Sequence, residues 1–406
     1  MRQDLLPLVV AFLVACVSRP PADPAARARE LARDFILLDG HVDVPFRLYE
    51  QAKSGAVDDV AERTSSGDFD FPRAVEGGLD APFFSIFTPA ECEQAGTSKS
   101  VADELIDLVE GIVRGAPDRF VIARTAAEVR VAARQGRIAI LLGMENGSPI
   151  EGRLENVDTF FERGVRYITL CHGEDNHLCD SSYDTRRSHQ GLTRFGREVV
   201  RRMNELGILV DVSHVSDDTF WQVIELSRSP VIASHSSLRH FVPGFQRNMS
   251  DEMLRALGEN GGVIQINFGS GFLSPEANGV SLERWQAAQA FAKERGLDPG
   301  APEVEAHMKA WDAAHPFPFA DVTDVADHID HAVQIAGIDH VGFGSDFDGV
   351  GDSLPTGLKD VSQYPNLIAE LLARGYSERD VEKICSKNVL RVMEAAERVA
   401  RELRGP

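Results

Sequence analysis

Residues 35–43 read Phe-Ile-Leu-Leu-Asp-Gly-His-Val-Asp, a short apolar run followed at once by two aspartates and a histidine. Five other short apolar runs also end on a histidine or a carboxylate. Two more, residues 82–87 and 262–268, are apolar and bounded by glycine or proline. Such runs are typical of strands buried on both faces, as in a parallel sheet. The six runs with their polar ends are 35–38 with His41 and Asp43, 138–144 with Glu145, 166–171 with His172, 207–213 with His214, 231–234 with His235, and 340–345 with Asp346.

Helical patterns lie between these runs. Thr-Ala-Ala-Glu at 125–128 predicts a capping box that opens a helix, and Gly136 is expected to close it. Strand and helix alternate eight times, which predicts an α/β fold, either a closed (β/α)8 TIM barrel or an open, doubly wound sheet. We favour the barrel because an open sheet does not easily bring its first and eighth strands to one pocket. Further crossover helices are predicted at 192–206, 219–226 and 251–257.

The length of 406 residues and the apolar content of 43% suit one barrel domain with insertions. We predict that this domain covers residues 31–406, with a helical insertion at about 270–320 and a helical tail at about 355–406. The predicted helices of the insertion, of the approach to the eighth strand and of the tail are 281–296, 303–314, 324–336, 361–373 and 377–403.

The net charge of the chain is −21. This charge argues against nucleic acid as a partner, because its phosphates would be repelled by such a chain. An acidic surface favours solubility. Some of the acidic residues belong to the candidate metal site, where a bound cation would compensate their charge.

The N-terminal segment is predicted to lie outside the fold. Residues 5–15 are apolar but too short to span a bilayer, as in the core of a signal peptide at 1–15. Leu-Val-Ala-Cys at 13–16 resembles the lipobox of bacterial lipoproteins, which predicts lipidation of Cys16 and a tether at 16–30. The predicted location is therefore the bacterial cell envelope, either lipid-anchored on the periplasmic side or free in the periplasm. The alternatives are an ordinary cleaved signal peptide and an apolar start retained in the cytoplasm.

The remaining cysteines leave two possibilities open. In an exported protein Cys92 could form a disulfide with Cys171 or Cys179, since both regions follow barrel strands. The alternative is four unpaired thiols, Cys385 being the fourth.

The polar strand ends suit a metal site. The carboxyl ends of barrel strands converge on one face, and His, Asp and Glu are ligands of divalent metals. His41 and Asp43 are two residues apart and so would lie on one side of a strand. Glu145 follows an apolar run that would bury an unpaired carboxylate at high cost. Taken singly, Glu145 fits a helix-capping group, and His214 or His235 fits a hydrogen-bonded core histidine. Together they predict a metallohydrolase.

Nine further motifs follow one another along the chain. They are Gly-His-Val-Asp at 40–43, Gly-Met-Glu-Asn-Gly at 143–147, Thr-Leu-Cys-His at 169–172, Leu-Thr-x-Phe-Gly at 192–196, Asp-Val-Ser-His-Val-Ser at 211–216, Ser-His-Ser-Ser at 234–237, Arg-Asn at 247–248, Gly-Phe-Gly-Ser-Asp-Phe-Asp-Gly at 342–349 and Tyr-Pro-Asn-Leu-Ile-Ala-Glu-Leu-Leu at 364–372. In this composition and order they resemble the membrane (renal) dipeptidases, peptidase family M19, and the resemblance spans about residues 35–395 without a break.

The resemblance implies a zinc-dependent dipeptidase with two zinc ions in an amidohydrolase-type barrel. His41 and Asp43 would bind the first zinc, His214 and His235 the second, and Glu145 would bridge them. It also implies a homodimer, a dipeptide substrate and tolerance of a D-residue at the C-terminal position of that dipeptide.

The resemblance also implies the catalytic and substrate-binding residues. His172 would contact the region of the scissile carbonyl, and Arg247 would bind the substrate carboxylate. Asp346 would handle the proton and the substrate amine, and Glu145 would act in catalysis through the metals. Any membrane contact would be through the lipid anchor only.

Two other classes of function remain open. One is a different amidohydrolase, such as a deaminase or a cyclic-amide hydrolase, against which Arg247 and a bridging Glu145 argue. The other is a catalytically silent binding protein on the same scaffold, against which the complete ligand set and Asp346 argue.

Overall fold

Parallel strands form the centre of the structure, a computed structural model that describes residues 24–297 and 300–405. Within these residues lie nine strands, and all of their neighbouring pairs are parallel. The strands are β1 (Leu37–Val42), β2 (Leu79–Phe87), β3 (Phe120–Ile122), β4 (Ile138–Glu145), β5 (Val165–Thr169), β6 (Leu209–Asp211), β7 (Ile232–Ser236), β8 (Val263–Ile266) and β9 (Val341–Phe343).

Eight strands close into a barrel. Their order is β1, β2, β4, β5, β6, β7, β8 and β9, and β9 pairs back with β1. The short strand β3 lies outside the ring and extends the sheet beside the start of β4. This closure confirms the predicted (β/α)8 barrel and excludes the open sheet.

Helices surround the barrel, and between β8 and β9 three of them form the predicted insertion before the crossover helix α14. The α-helices are α1 (Pro24–Asp34), α2 (Val44–Ser54), α3 (Phe71–Gly77), α4 (Glu91–Ala95), α5 (Ser98–Gly115), α6 (Ala126–Arg134), α7 (Glu155–Arg163), α8 (Arg194–Leu206), α9 (Asp217–Leu226), α10 (Asp251–Asn260), α11 (Ser270–Leu273), α12 (Pro275–Arg295), α13 (Pro302–Ala314), α14 (Val322–Ala336), α15 (Tyr364–Ala373), α16 (Glu378–Glu382) and α17 (Asn388–Arg404).

The strand bounds differ from the predicted ones in a way that matters for the site. β1 continues through His41, β4 ends on Glu145, and β7 includes His235, so these three polar residues belong to the strands themselves. β3 is not predicted from the sequence because three residues are too few to show a periodic pattern.

Side-chain caps explain where several helices begin. Thr125 Oγ1 accepts a hydrogen bond from the Glu128 amide, as predicted, but the Glu128 carboxylate accepts from the Arg124 amide instead of closing a box on Thr125. Helix α12 starts at Pro275, six residues before the predicted start, because Ser274 caps it. Ser377 and Asp380 form a capping box at the start of α16.

The folded part of the described chain includes the end of the predicted tether. Residues 24–30 form the first turns of α1, whose Ala28 and Leu31 are buried. Helix α1 packs on α15, and Arg27 forms a bidentate ion pair with Glu378. Apolar burial and this pairing hold these residues on the domain.

The helical tail closes the amino-terminal end of the barrel. Residues Lys383–Lys387 form a π-helical turn that interrupts the predicted helix 377–403. Asn388 directly follows it, and its side-chain amide donates to the carbonyls of Ile338 and Val341. At this end of the barrel, buried residues of α17 and of the strands form one apolar cluster. It includes Val389, Leu390, Val392 and Met393 of α17 and Leu38, Ala81, Ala139, Leu209, Ile232 and Val263 of the strands.

The predicted signal peptide at 1–15, Cys16 and the tether as far as residue 23 lie outside the described residues. Within the described part, no helix is both long enough and apolar enough to cross a membrane. The four described cysteines are free thiols, of which Cys171, Cys179 and Cys385 are buried.

Candidate metal centre

Seven polar side chains meet at the carboxyl-terminal mouth of the barrel. Overlapping groups of potential ligands connect all of them. Six are buried, and the side chain of His172 stays 30% exposed. The seven are His41 in β1, Asp43 directly after it, Glu145 at the end of β4, His172 after β5, His214 after β6, His235 in β7 and Asp346 after β9.

Glu145 lies at the centre of this group. Its Oε2 is 3.3 Å from His41 Nε2, which is itself 3.3 Å from Asp43 Oδ2. Its other oxygen, Oε1, is 3.1 Å from His214 Nε2 and 3.2 Å from His235 Nε2. The two oxygens of one carboxylate thus face two different sets of ligand atoms, as in a carboxylate that bridges two ions.

The distances and the donor atoms fit bound metal. Nitrogen ligands at about 2.0–2.1 Å from a zinc ion lie roughly 3.3 Å from one another in a tetrahedral site. The spacings from Glu145 match this value, and the Nε2 atoms of His214 and His235 are 2.9 Å apart. His41 Nε2 and Asp43 Oδ1 are buried without a hydrogen-bond partner in the described residues. Such atoms are costly to leave unpaired, and a cation would satisfy them.

The protonation states also suit metal binding. Burial alone would raise the pKa of Glu145, but His41, His172 and the other histidines hold it well below its usual value. Burial lowers the pKa of His214 and of His235 well below the ordinary histidine value. The group therefore offers the Glu145 carboxylate and the neutral imidazoles of His214 and His235, which are the forms that bind metals. Burial would lower the pKa of His41, but Tyr167, Glu145 and Asp43 raise it well above the ordinary histidine value, and a bound cation would take the place of that proton.

Asp346 lies beside the ligands with a strained backbone. Its φ is 64°, its amide donates to the His41 carbonyl at 3.0 Å, and its Oδ2 accepts from the Asn267 amide at 2.7 Å. A Cβ added to Gly349 would come within 2.3 Å of both Asp346 Oδ1 and Asp43 Oδ2, so glycine lets the two carboxylates converge. Burial, aided by the charges of Asp43 and Glu145, raises the pKa of Asp346 to about 7.

Arg247 is buried next to the same group and has no acidic partner among the described residues. Its Nη1 donates to Ser236 Oγ at 2.6 Å and its Nη2 to the His235 carbonyl at 2.7 Å. Its Nε has no hydrogen-bond partner in the described residues, and the guanidinium lies 5.3 Å from the centre of the Phe272 ring. A buried cation without a counter-charge is expensive, which indicates an anionic ligand.

His172 occupies the open side of the group. Its Nε2 is 3.7 Å from Glu145 Oε1, and its ring packs edge-on against Phe87 at 4.7 Å between centroids. Burial, as the largest influence, lowers the pKa of His172 below the ordinary value, so the ring is neutral near pH 7.

Several residues support the ligands in a role that the sequence analysis did not predict for them. Tyr167 Oη is 2.7 Å from His41 Nδ1, Ser234 Oγ is 2.8 Å from His235 Nδ1, and Ser85 Oγ donates to Glu145 Oε2 at 3.2 Å. Ser234 in turn donates to Asp211, a buried carboxylate in β6. Each is a polar group inside an apolar strand, which is the one signal in the sequence that could have identified them.

Tyr167→Phe is expected to weaken metal binding by roughly 10-fold or more, because the hydrogen-bond partner on the other ring nitrogen of a ligand histidine fixes the orientation of its ring. Chelator competition on the purified protein measures this affinity. Tyr376→Phe is the matched control, since it removes a hydroxyl that hydrogen-bonds Asp330. Equal affinity in the Tyr167 variant and the wild type would show that the hydroxyl does not orient His41.

Comparison with known proteins identifies the family. The family model of the membrane dipeptidases, peptidase family M19, matches residues 25–406. The chain belongs to this family. Dipeptidase 3 of Mus musculus is 32% identical to it over 384 residues, which are 93% of this chain and 68% of the mouse protein.

Solved structures of M19-like proteins share the fold. The probable dipeptidase PvdM from Pseudomonas aeruginosa aligns with a TM-score of 0.80 and 28% identity, covering 94% of this chain and all of that one. A metallopeptidase from Rhodobacter sphaeroides, bound to a phosphinate mimic of the dipeptide L-Ala-D-Ala, aligns with a TM-score of 0.73 and 26% identity. That alignment covers 89% of this chain and 99% of the Rhodobacter chain.

These findings confirm the predicted family. M19 proteins are metal-dependent dipeptidases, and the residues around Glu145 are where this chain can hold metal. The hydrolysis of dipeptides is thereby supported as the activity of this barrel.

Proposed function

We propose that this protein is a binuclear zinc dipeptidase that hydrolyses dipeptides and accepts a D-residue at their C-terminal position. The observation that carries the proposal is the placement of Arg247. Its buried guanidinium, unpaired with any acid in the described residues, is hydrogen-bonded to the backbone of His235, one of the candidate ligands. A side chain that can bind an anion therefore lies next to the candidate metal ligands.

His41 and Asp43 would hold one ion, His214 and His235 the other, and Glu145 both. When bound, the ions polarise the amide carbonyl and lower the pKa of water at the site. The two faces of the Glu145 carboxylate support this division of the ligands.

The other residues then have distinct tasks. Neutral His172, on the open side, can donate a hydrogen bond to the oxygen of the scissile carbonyl as negative charge develops on it. Asp346, with a pKa raised to about 7, can accept a proton when ionised and return it to the leaving amine. Arg247 can form a bidentate pair with the terminal carboxylate. A carboxylate held at a set distance from the reacting carbonyl selects substrates two residues long.

Tolerance of a D-residue follows if the carboxylate, and not the side chain, is what the site recognises. The Rhodobacter sphaeroides relative supports this, since it binds a phosphinate mimic of L-Ala-D-Ala.

With zinc-loaded protein, L-Xaa-D-Xaa dipeptides are expected to be cleaved at rates comparable to or above those of L,L-dipeptides, and tripeptides hardly at all. Quantifying the released amino acids for matched peptides measures this. Arg247→Ala should raise KM by about 10²-fold for every dipeptide, whatever its second residue, because a charge-assisted contact is lost. Arg255→Ala, an exposed change on α10, is the matched control.

Two results would contradict the substrate assignment. One is preference for tripeptides, and the other is loss of cleavage when the second residue is D-configured. An unchanged KM in the Arg247→Ala variant would show that Arg247 does not bind the substrate carboxylate. This result would not contradict the proposed metal centre.

We also propose that the protein is exported to the bacterial cell envelope and anchored through lipid on Cys16. The support is the sequence at 13–16 alone. Cys16→Ala is expected to abolish labelling by radioactive fatty acid and to shift the protein out of the membrane fraction, whereas Cys92→Ala, within the folded domain, should change neither. Absence of label on the wild type would contradict the proposal. The homodimer stays a prediction.

A further inference from the structure

A second group of metal-binding side chains lies where the segment after β7 meets α10 and α14. His240 belongs to that segment, Asp251 is the first residue of α10, and His331 lies on α14. One ligand atom from each lies within 4.8 Å of the others. We call these three residues the His240 cluster. It shares no residue with the centre around Glu145.

The contacts hold the three side chains together. His331 Nε2 is 2.8 Å from Asp251 Oδ1, and the His240 ring stacks on the His331 ring at 4.0 Å with an interplanar angle of 22°. Phe241 packs edge-on against both rings. A hydrogen bond accounts for the contact of His331 with Asp251, but it gives no reason for a second imidazole to lie face to face with the first.

A neighbouring histidine shows which rings are free to bind. The buried His328 accepts from the Leu238 amide at 3.2 Å through Nδ1, and its Nε2 lies 3.1 Å from the Leu273 carbonyl. Both of its nitrogens are therefore committed to the backbone. His240 is exposed and makes no hydrogen bond through its ring among the described residues, so a small rotation can bring it to a shared ion.

The donor set defines the ion. Two imidazoles and one carboxylate suit Zn²⁺ and similar transition metals, whereas Mg²⁺ and Ca²⁺ prefer oxygen ligands. His331 Nε2 and Asp251 Oδ1 are already 2.8 Å apart, and a ligand atom of His240 lies within 4.8 Å of both residues' ligand atoms, so a small shift gives the spacing of roughly 3.3 Å found around zinc. Solvent can complete the coordination because His240 is exposed.

We propose that the His240 cluster binds one zinc-type ion and thereby ties the segment 237–250 to α10 and α14. This segment carries Arg247, and a parallel bridge between Leu238 and Met249 brings its two ends together. An ion held by His240 on the segment, by Asp251 just beyond it and by His331 on α14 would oppose its local opening.

Untagged, full-length protein with its catalytic metal in place is dialysed against graded zinc, and bound zinc is counted by elemental analysis. The wild type is expected to bind one equivalent more than His240→Gln or His331→Gln. His315→Gln, an exposed histidine at the end of α13, should match the wild type. His240→Gln is the decisive variant, because an exposed side chain can be changed without disturbing the fold.

Hydrogen exchange locates the ion. At zinc tenfold above its Kd, amide exchange through local opening at residues 238–249 should slow about tenfold in the wild type and stay unchanged in His240→Gln. Equal zinc stoichiometry in the wild type and both cluster variants would overturn the proposal and leave only a hydrogen bond between His331 and Asp251. If the wild type binds more zinc than the cluster variants but its amide exchange in the segment is not slower, the ion does not hold the segment to α10 and α14, and that part of the proposal is wrong.

Discussion

Replacing Glu145 by glutamine is expected to remove both bound metal and activity. The carboxylate contacts four histidines, with its two oxygens facing different ligand sets. An amide keeps the shape but loses the charge and one acceptor oxygen, so neither of the two proposed ions would keep its shared ligand. Metal content should fall towards zero, and kcat/KM by about 10³-fold or more, which corresponds to ~4 kcal/mol of transition-state stabilisation.

Elemental analysis and dipeptide kinetics on the same preparation test this expectation. Glu225→Gln, an exposed change on α9, controls for the loss of one surface charge. Chelation of the wild type should reproduce the defect, and zinc should reverse it only in the wild type. A Glu145→Gln protein with full metal content and normal turnover would rule out Glu145 as the bridging ligand.

Asp346→Asn should separate chemistry from metal binding. The Asn267 amide can still donate to the new side-chain oxygen, and asparagine tolerates the left-handed backbone that Asp346 adopts. The variant should therefore fold and keep its metal. It cannot accept and return a proton, so kcat is expected to fall by roughly 10²-fold or more with a smaller change in KM.

Asp352→Asn is the matched control, since that carboxylate follows in the same loop and its side chain is 93% exposed. The measurement is kcat, KM and metal content for both variants. Unchanged turnover with metal bound would assign Asp346 a structural role.

The sequence was sufficient for the barrel and for the candidate ligands. Apolar runs that alternate with helical patterns predict a parallel barrel, and its closure is what the structure shows. The end of β1 was predicted less well, because the apolar run stops at residue 38 although the strand continues as far as Val42, with Asp43 directly after it. The strand is extended by its pairing with β2 and β9, and the pattern of apolar and polar residues along β1 cannot show this pairing.

The supporting residues were not predictable in the same way. Tyr167 lies 126 residues from His41 in the chain, and nothing near either residue indicates their 2.7 Å contact. Gly143 shows the same dependence, because a Cβ there would lie 2.0 Å from the Tyr167 ring. Such requirements exist only when β4 and β5 are paired in one register.

The candidate ligands at the strand ends were recognisable in the sequence, since side-chain chemistry and position at strand ends are local properties. Their geometry comes from the folded chain: Glu145 faces two ligand sets at once, and Arg247 is buried without an acidic partner in the described part of the chain. It also brought His240, Asp251 and His331 together from three separate elements. Distances across a closed barrel depend on strand register and helix packing, which no short stretch of sequence contains.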